Sequence, residues 1–257
     1  MVEASPYAQK FIIFMCRESN TRARPLREGG RSLPGRSSIL VGLDPGELSV
    51  ARSIKPSIAP QNAVRTRRAY FDCRFGQLHV RTAFPTTGGF DEQVTLVCLH
   101  SREGSSRSFA RLLPAIAPDR SVYAPDLPGF GESDPAPSVG HADAALAIFD
   151  LAKDLRLRQI DLLGVRFGAA VALELAGQHP ELVRRLVLVG SPPMDRVPSI
   201  RQPCLILKSR SDPPDELQRG ALPNARLVDV DSSDPIEADP AAFARQIAAF
   251  LGSKASA

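Results

Sequence analysis

At residues 164–168 the chain reads Gly-Val-Arg-Phe-Gly, two glycines in the spacing of a G-x-S-x-G corner with Arg166 at the centre. Such a corner turns a strand sharply into a helix and presents its central side chain at the helix head. The flanking glycines let strand and helix pack closely. Covalent catalysis at this point needs Ser, Cys or Asp, and a permanently charged guanidinium cannot act as that nucleophile. What Arg166 offers is charge. A helix N-terminus already carries roughly half a positive charge, so a cation placed there calls for a compensating anion. Three arrangements meet that demand. Asp212 or Glu103 forms an internal ion pair; or a carboxylate or enolate ligand is gripped by Arg166 together with the N–H groups of Phe167 and of the loop after His100; or the guanidinium reaches past the corner into solvent.

The other residues with chemistry to offer are few. Asp212 follows the apolar run 204–208 by four residues, in a position to carry an acid whose task is to orient a histidine. The segment after 225–230, Asp231-Ser-Ser-Asp-Pro, contains no histidine, and His79, His100, His141 and His179 all lie elsewhere. His100 is the one histidine expected near the corner. It either supports the loop backbone or serves as a general acid or base, given an ordinary pKa of about 6.5. His141 sits at a helix start, and His179, followed by Pro180, at a helix end. Ser101, Ser105, Ser106 and Ser191 are hydroxyls with no identifiable base. Cys16, Cys73, Cys98 and Cys204 lack C-x-x-C spacing and a histidine cluster, so no metal and no cofactor is expected. With Cys98 and Cys204 inside apolar strands, a reducing compartment, the cytoplasm, is the expected location.

The elements that would position these groups follow from periodicity. Residues 68–74 and 78–84 alternate around Phe75-Gly76-Gln77 and read as an antiparallel hairpin. Runs near 94–99, 121–125, 159–163, 183–189, 204–208 and 225–230 are apolar throughout, as strands covered on both faces are. Helical stretches near 105–117, 142–155, 167–178, 214–221 and 240–251 supply the crossovers. The expectation is an α/β fold with about eight strands, mostly parallel and doubly wound, and helices on both faces. Its ligand crevice lies beyond the carboxyl ends of the strands, where His100, Asp126, Arg166, Ser191 and Asp212 should line up.

Taken with the corner at 164–168, three further segments carry a resemblance: Val94–Leu99 running into His100-Ser-Arg-Glu-Gly-Ser-Ser, the turn Asp126-Leu-Pro-Gly-Phe-Gly-Glu-Ser-Asp, and Pro203–Lys208 with the Asp212 loop. Over about residues 66–252 the chain resembles the α/β-hydrolase superfamily, in particular compact relatives of the meta-cleavage-product hydrolases. The resemblance implies an α/β-hydrolase fold, an oxyanion loop or pocket at Ser101, Arg102, Phe167 and Ser191, and an acid at Asp212. It also exposes three departures. Arg166 replaces the nucleophile, the histidine is missing from the loop after the last strand, and residues 191–202 leave little room for the lid helices that the family inserts after the sixth strand. Losing nucleophile and base together removes about 10⁶ in turnover in a well-studied serine hydrolase. The resemblance therefore points to a degenerate homologue that binds a ligand or regulates. Its alternative is an enzyme of altered chemistry, a lyase, isomerase or weak hydrolase acting on a small anionic substrate, with Arg166 as oxyanion clamp and His100 or Asp212 moving a proton.

Charge and composition bound the rest. The net charge is +4 over 257 residues. Residues 1–68 hold twelve Lys or Arg against five Asp or Glu, so the remainder is net −3. Residues 1–65 show no sustained period and read as a basic, unstructured extension, a targeting segment or the product of an upstream start. The domain is expected at 66–252, with a short tail at 253–257. It shows no basic stripe with interleaved aromatics, and no apolar run long enough to span a membrane, so neither nucleic acid nor membrane is an expected partner. A small anionic or apolar ligand at the carboxyl rim is. The oligomeric state is not legible.

Overall fold

The strands alternate their side chains between two apolar layers, and this organises the molecule. The computed structural model describes residues 64–86, 93–136, 139–190, 200–209 and 222–252. In chain order they form β1 (Thr66–Cys73), β2 (Gly76–Ala83), β3 (Thr95–Leu99), a 3-10 turn (Ser106–Phe109), α1 (Leu113–Ile116), β4 (Val122–Pro125), α2 (His141–Asp154), β5 (Ile160–Val165), α3 (Phe167–Gln178), β6 (Val183–Val189), β7 (Cys204–Ser209), β8 (Ala225–Val230), α4 (Pro235–Ala238) and α5 (Pro240–Gly252). One sheet of eight strands runs β1-β2-β4-β3-β5-β6-β7-β8. The hairpin pairs antiparallel and joins β4 antiparallel, while β3 to β8 are mutually parallel.

Because successive strand residues point to opposite faces, an apolar strand fills two cores at once. Val97, Leu99, Ile160, Leu162, Leu186, Leu188 and Ile206 face α2 and α3. Leu96, Cys98, Leu163, Val187, Val189, Leu205 and Leu207 face α1, α4 and α5. This is the doubly covered sheet that the continuous apolar runs imply.

Below the sheet, at its amino end, α5 is tied down by charge. Asp161 is fully buried and accepts from Arg120 Nη1 at 3.0 Å and from Arg184 Nη2 at 2.6 Å. Arg184 and Arg185 also donate to the carbonyls of Phe250 and Leu251, at the negative end of α5.

One expected helix differs. Residues 105–117 form a 3-10 turn followed by a single helical turn, because Pro114 lies in the first turn of α1 and cannot donate the N–H that a continuous helix would need there. The expected helix 214–221, together with Ser191, Asp212, residues 1–63 and the tail 253–257, lies outside the described residues. Among those described, no helix is long and apolar enough to cross a membrane.

Candidate functional site

The corner between β5 and α3 is built from backbone contacts that only glycine permits. A Cβ on Gly164 would overlap the carbonyl of Gly168 and the backbone of Ala169, and a Cβ on Gly168 would overlap the carbonyl of Leu99 at the end of β3. Strand, helix and oxyanion loop are thereby locked together. Between the glycines Arg166 adopts φ 49° and ψ −100°, a conformation costing of order 1–3 kcal/mol for a residue with a Cβ. Its neighbours enforce it: its N–H donates to Val189 at 2.9 Å, and its carbonyl accepts from Ala169 and Ala170. The strained corner of an elbow is present, with a guanidinium in place of the nucleophile.

That guanidinium is exposed, and Nη2 donates to the carbonyl of Ser233 at 3.4 Å, across the rim in the loop between β8 and α4. No carboxylate among the described residues pairs with it; Glu103, one of the expected internal partners, does not. The first turn of α3 holds no acidic residue either. The positive end of the helix and the Arg166 charge therefore stand together without a described counter-ion. Arg102, in the oxyanion loop, adds a second cation: its guanidinium lies 4.4 Å from the centroid of the Phe167 ring. Phe167 is otherwise edged by His141 at 4.8 Å and Phe130 at 6.1 Å.

His100 is sealed at the root of this loop. Its Nε2 accepts from the Leu127 N–H at 2.9 Å, which leaves Nδ1 as the nitrogen that carries the proton and donates to the Ser101 carbonyl at 2.6 Å. Burial pushes its pKa down, so the neutral ring is favoured. Both nitrogens thus serve the backbone, and neither is free to exchange a proton with a ligand. Ser101, with His100, Val165, Ser108, Phe109, Asp234 and Ile236, lines a cavity of about 30 Å³, room for roughly one water. The loop beyond β8 is turned by Asp234, whose carboxylate accepts from the Glu237 N–H at 3.1 Å and caps α4.

Asp126, expected at the carboxyl rim, anchors the turn that it opens and the segments around it. Burial pushes its carboxyl up, but the N–H groups of Glu132 and Ser106 and the His79 ring outweigh that and hold it below the usual carboxylate range. The Glu132 N–H lies at 2.8 Å and His79 Nδ1 at 2.9 Å. His79 carried no signal in the sequence, since only the β2–β4 pairing, Val80 opposite Pro125, brings it beside Asp126. Of the site residues expected from the sequence, the structure gathers Arg166, Phe167, Arg102, Ser101 and His100 at the carboxyl rim. Ser191 and Asp212 lie outside the described residues, and no cluster of metal-ligating side chains occurs among those described.

Comparison with known proteins agrees with this geometry. The family model of the alpha/beta hydrolase fold matches residues 94–229. The chain belongs to the α/β-hydrolase fold family. It is 45% identical over 85 residues to 2-hydroxymuconate semialdehyde hydrolase of Pseudomonas sp. (strain CF600), covering 31% of this chain and 29% of that protein. It is 35% identical over 98 residues to pyrrolizixenacetamide deacetylase of Xenorhabdus hominickii, covering 37% of each. The matches thus span under two-fifths of the length of these relatives. Among solved structures, a ligand-free epoxide hydrolase superposes with a TM-score of 0.64 at 15% identity, covering 73% of this chain and 99% of that one. A CIB-like hydrolase from Thermoplasma acidophilum superposes with the same score at 21% identity, covering 73% and 98%. At such identities these two show the fold alone.

Proposed function

We propose that this member of the family does not hydrolyse through a covalent intermediate and instead binds a small anionic ligand at the carboxyl rim of its sheet. The observation that carries this is Arg166: an exposed guanidinium at the strained head of α3 whose one partner among the described residues is a carbonyl. Anions are favoured there by the helix end and by the N–H groups of its first turn. Arg102, whose guanidinium lies over the ring of the neighbouring Phe167, adds positive charge to this rim, and a carboxylate or enolate is the ligand chemistry that guanidinium forks match. With residues 190–203 alone between β6 and β7, the chain has little length there for lid helices that would exclude water.

The alternative, an enzyme of altered chemistry, needs a group to move a proton. His100 has both nitrogens committed to backbone, so that role falls to Asp212 or to the ligand itself. The reduced thiols of Cys98 and Cys204, both buried, support a cytoplasmic protein.

The decisive experiment pairs two measurements on the purified protein. A fluorophosphonate probe followed by intact mass should give no adduct, and calorimetric titration with short carboxylates should show binding that Arg166→Ala weakens at least tenfold. An adduct on any rim side chain, or carboxylate binding indifferent to Arg166→Ala, would overturn the proposal.

A further inference from the structure

A second group of cations lies where the hairpin meets the 3-10 turn. In the β1–β2 register Arg68 stands directly opposite Arg81, so both guanidinium groups leave the same face of the sheet. Like charges at directly opposed positions destabilise a sheet unless something lies between them. A third cation, Arg107, arrives from the 3-10 turn. One carboxylate serves this group: Glu132 accepts from Arg107 at 3.2 Å and from Arg68 at 3.4 Å. The Arg107 hydrogen bond holds the Glu132 carboxyl below the usual range. His79, opposite Tyr70 on the same face, has its Nε2 a further 3.9 Å from Glu132.

Arg81 has no share in that carboxylate. It is half-buried, its Nε is sealed from solvent, and that N–H has no hydrogen-bond partner among the described residues. A buried donor left unmade is unfavourable, and native structures keep few of them without a reason. Cross-strand repulsion and an orphaned N–H, at the same pair of residues, are both relieved by one event, the arrival of an oxyanion.

We propose that Arg81, Arg68 and Arg107 form a binding site for a small polyvalent oxyanion, phosphate or a phosphate monoester, separate from the carboxyl rim. The half-buried Arg81 side chain turns toward the ligand, so that one oxygen accepts from its Nε–H, enclosed in the free protein, and a second from a terminal nitrogen of the same guanidinium, the side-on bidentate mode to which a planar fork is suited. Arg68 and Arg107 complete the shell from β1 and the 3-10 turn, exchanging part of their contact with Glu132 for the ligand. A small anion fits this place better than a peptide carboxylate, because the Nε edge is too enclosed to admit a chain. Tyr70, which is 54% exposed, lies next to Arg68 on this face and reports on the site.

The test is titration of the full chain with inorganic phosphate at constant ionic strength, followed by calorimetry and by tyrosine fluorescence, with chloride and sulfate as comparison ions. Saturable phosphate binding is expected, weakened at least tenfold in Arg81→Gln; in an Arg166→Ala background, where the rim cation is absent, Arg81→Gln should cause the same loss, which separates this site from the rim. Phosphate monoesters should compete with phosphate; competition by sulfate at equal strength marks a site for tetrahedral oxyanions in general, still centred on Arg81. Absence of saturable binding, or binding that Arg81→Gln leaves intact, overturns the proposal. Because Arg81 is half-buried, thermal melting of Arg81→Gln without phosphate checks that the variant is folded. Arg107→Gln, at an exposed position, provides a second variant expected to weaken binding without touching the sheet.

Discussion

Replacing Arg166 by glycine should make the protein more stable, and by more than alanine does. At φ 49° and ψ −100° the backbone of Arg166 lies where a Cβ is penalised by about 1–3 kcal/mol. Glycine, with no Cβ, takes positive φ as readily as negative, at a chain-entropy cost of about 0.5–1 kcal/mol. Two further effects are common to both substitutions. Removing a cation from the helix head gains about 0.3–1 kcal/mol, and losing the long, exposed bond to Ser233 costs about 0.5 kcal/mol. These nearly cancel, so Arg166→Ala should fall within about 0.5 kcal/mol of the parent. Arg166→Gly keeps that near-zero balance and adds relief of strain minus the cost in entropy, centring on a gain of about 1 kcal/mol over alanine. For a domain of this size that is about 2–4 °C in Tm. Urea melts of the three proteins, fitted with a common slope, give the comparison. If alanine equals or exceeds glycine, the corner is not held at positive φ, and the retained elbow geometry is wrong.

Four other outcomes follow from the same contacts. Gly168→Ala forces a Cβ into the carbonyl of Leu99 and should destabilise by about 1–3 kcal/mol or more in chemical denaturation. Asp161→Ala leaves the buried guanidinium of Arg120 without its carboxylate and should cost about 3–5 kcal/mol, whereas Asp161→Asn, which keeps an acceptor, should cost less. Asp126 has its carboxyl held low in the folded state, so the stability it contributes is present above the ordinary carboxylate pKa and is lost as pH falls through the lower folded value; Asp126→Asn should flatten the acid limb of stability against pH. His100, whose pKa is pushed down by burial, is protonated more readily in the unfolded chain, so its contribution falls as pH drops below about 6.5. Stability of a His100→Asn variant should lose that segment of the pH dependence.

Much of the fold was legible because a parallel strand covered on both faces is apolar at most of its positions. That rule finds β5, β6 and β7 to within two residues at each end. It says nothing about a short element whose helical run is interrupted, and so 105–117 reads as one helix although Pro114 splits it. The rim was legible in part. The glycine spacing locates Arg166 and Phe167, and the resemblance locates Ser101 and Arg102, since both depend on residues near one another in the chain. Partners distant in sequence were not. Ser233 is 67 residues from Arg166, Arg120 is 41 from Asp161, and His79 is 47 from Asp126. Nothing in local composition foretells pairings that only the strand order creates. The opposition of Arg68 and Arg81 belongs to the same kind, since the hairpin was expected but its register was not.

The persistence of an elbow without its nucleophile has a physical explanation in where the corner's energy resides. Gly164 and Gly168 are required by contacts to Gly168, Ala169 and Leu99, all backbone, and none of those contacts involves the side chain at 166. The positive φ is imposed by hydrogen bonds to Val189, Ala169 and Ala170, again indifferent to which residue sits there. A substitution at the centre therefore leaves the packing of β3, β5 and α3 intact, and the scaffold tolerates a guanidinium so long as its head reaches solvent, as Arg166 does. The loop beyond β8 is under no comparable constraint. It is largely exposed and closes with an Asp234 cap, so a histidine there would be held by its catalytic use more than by the fold. The glycines at 164 and 168 report packing, and only the residue between them reports chemistry.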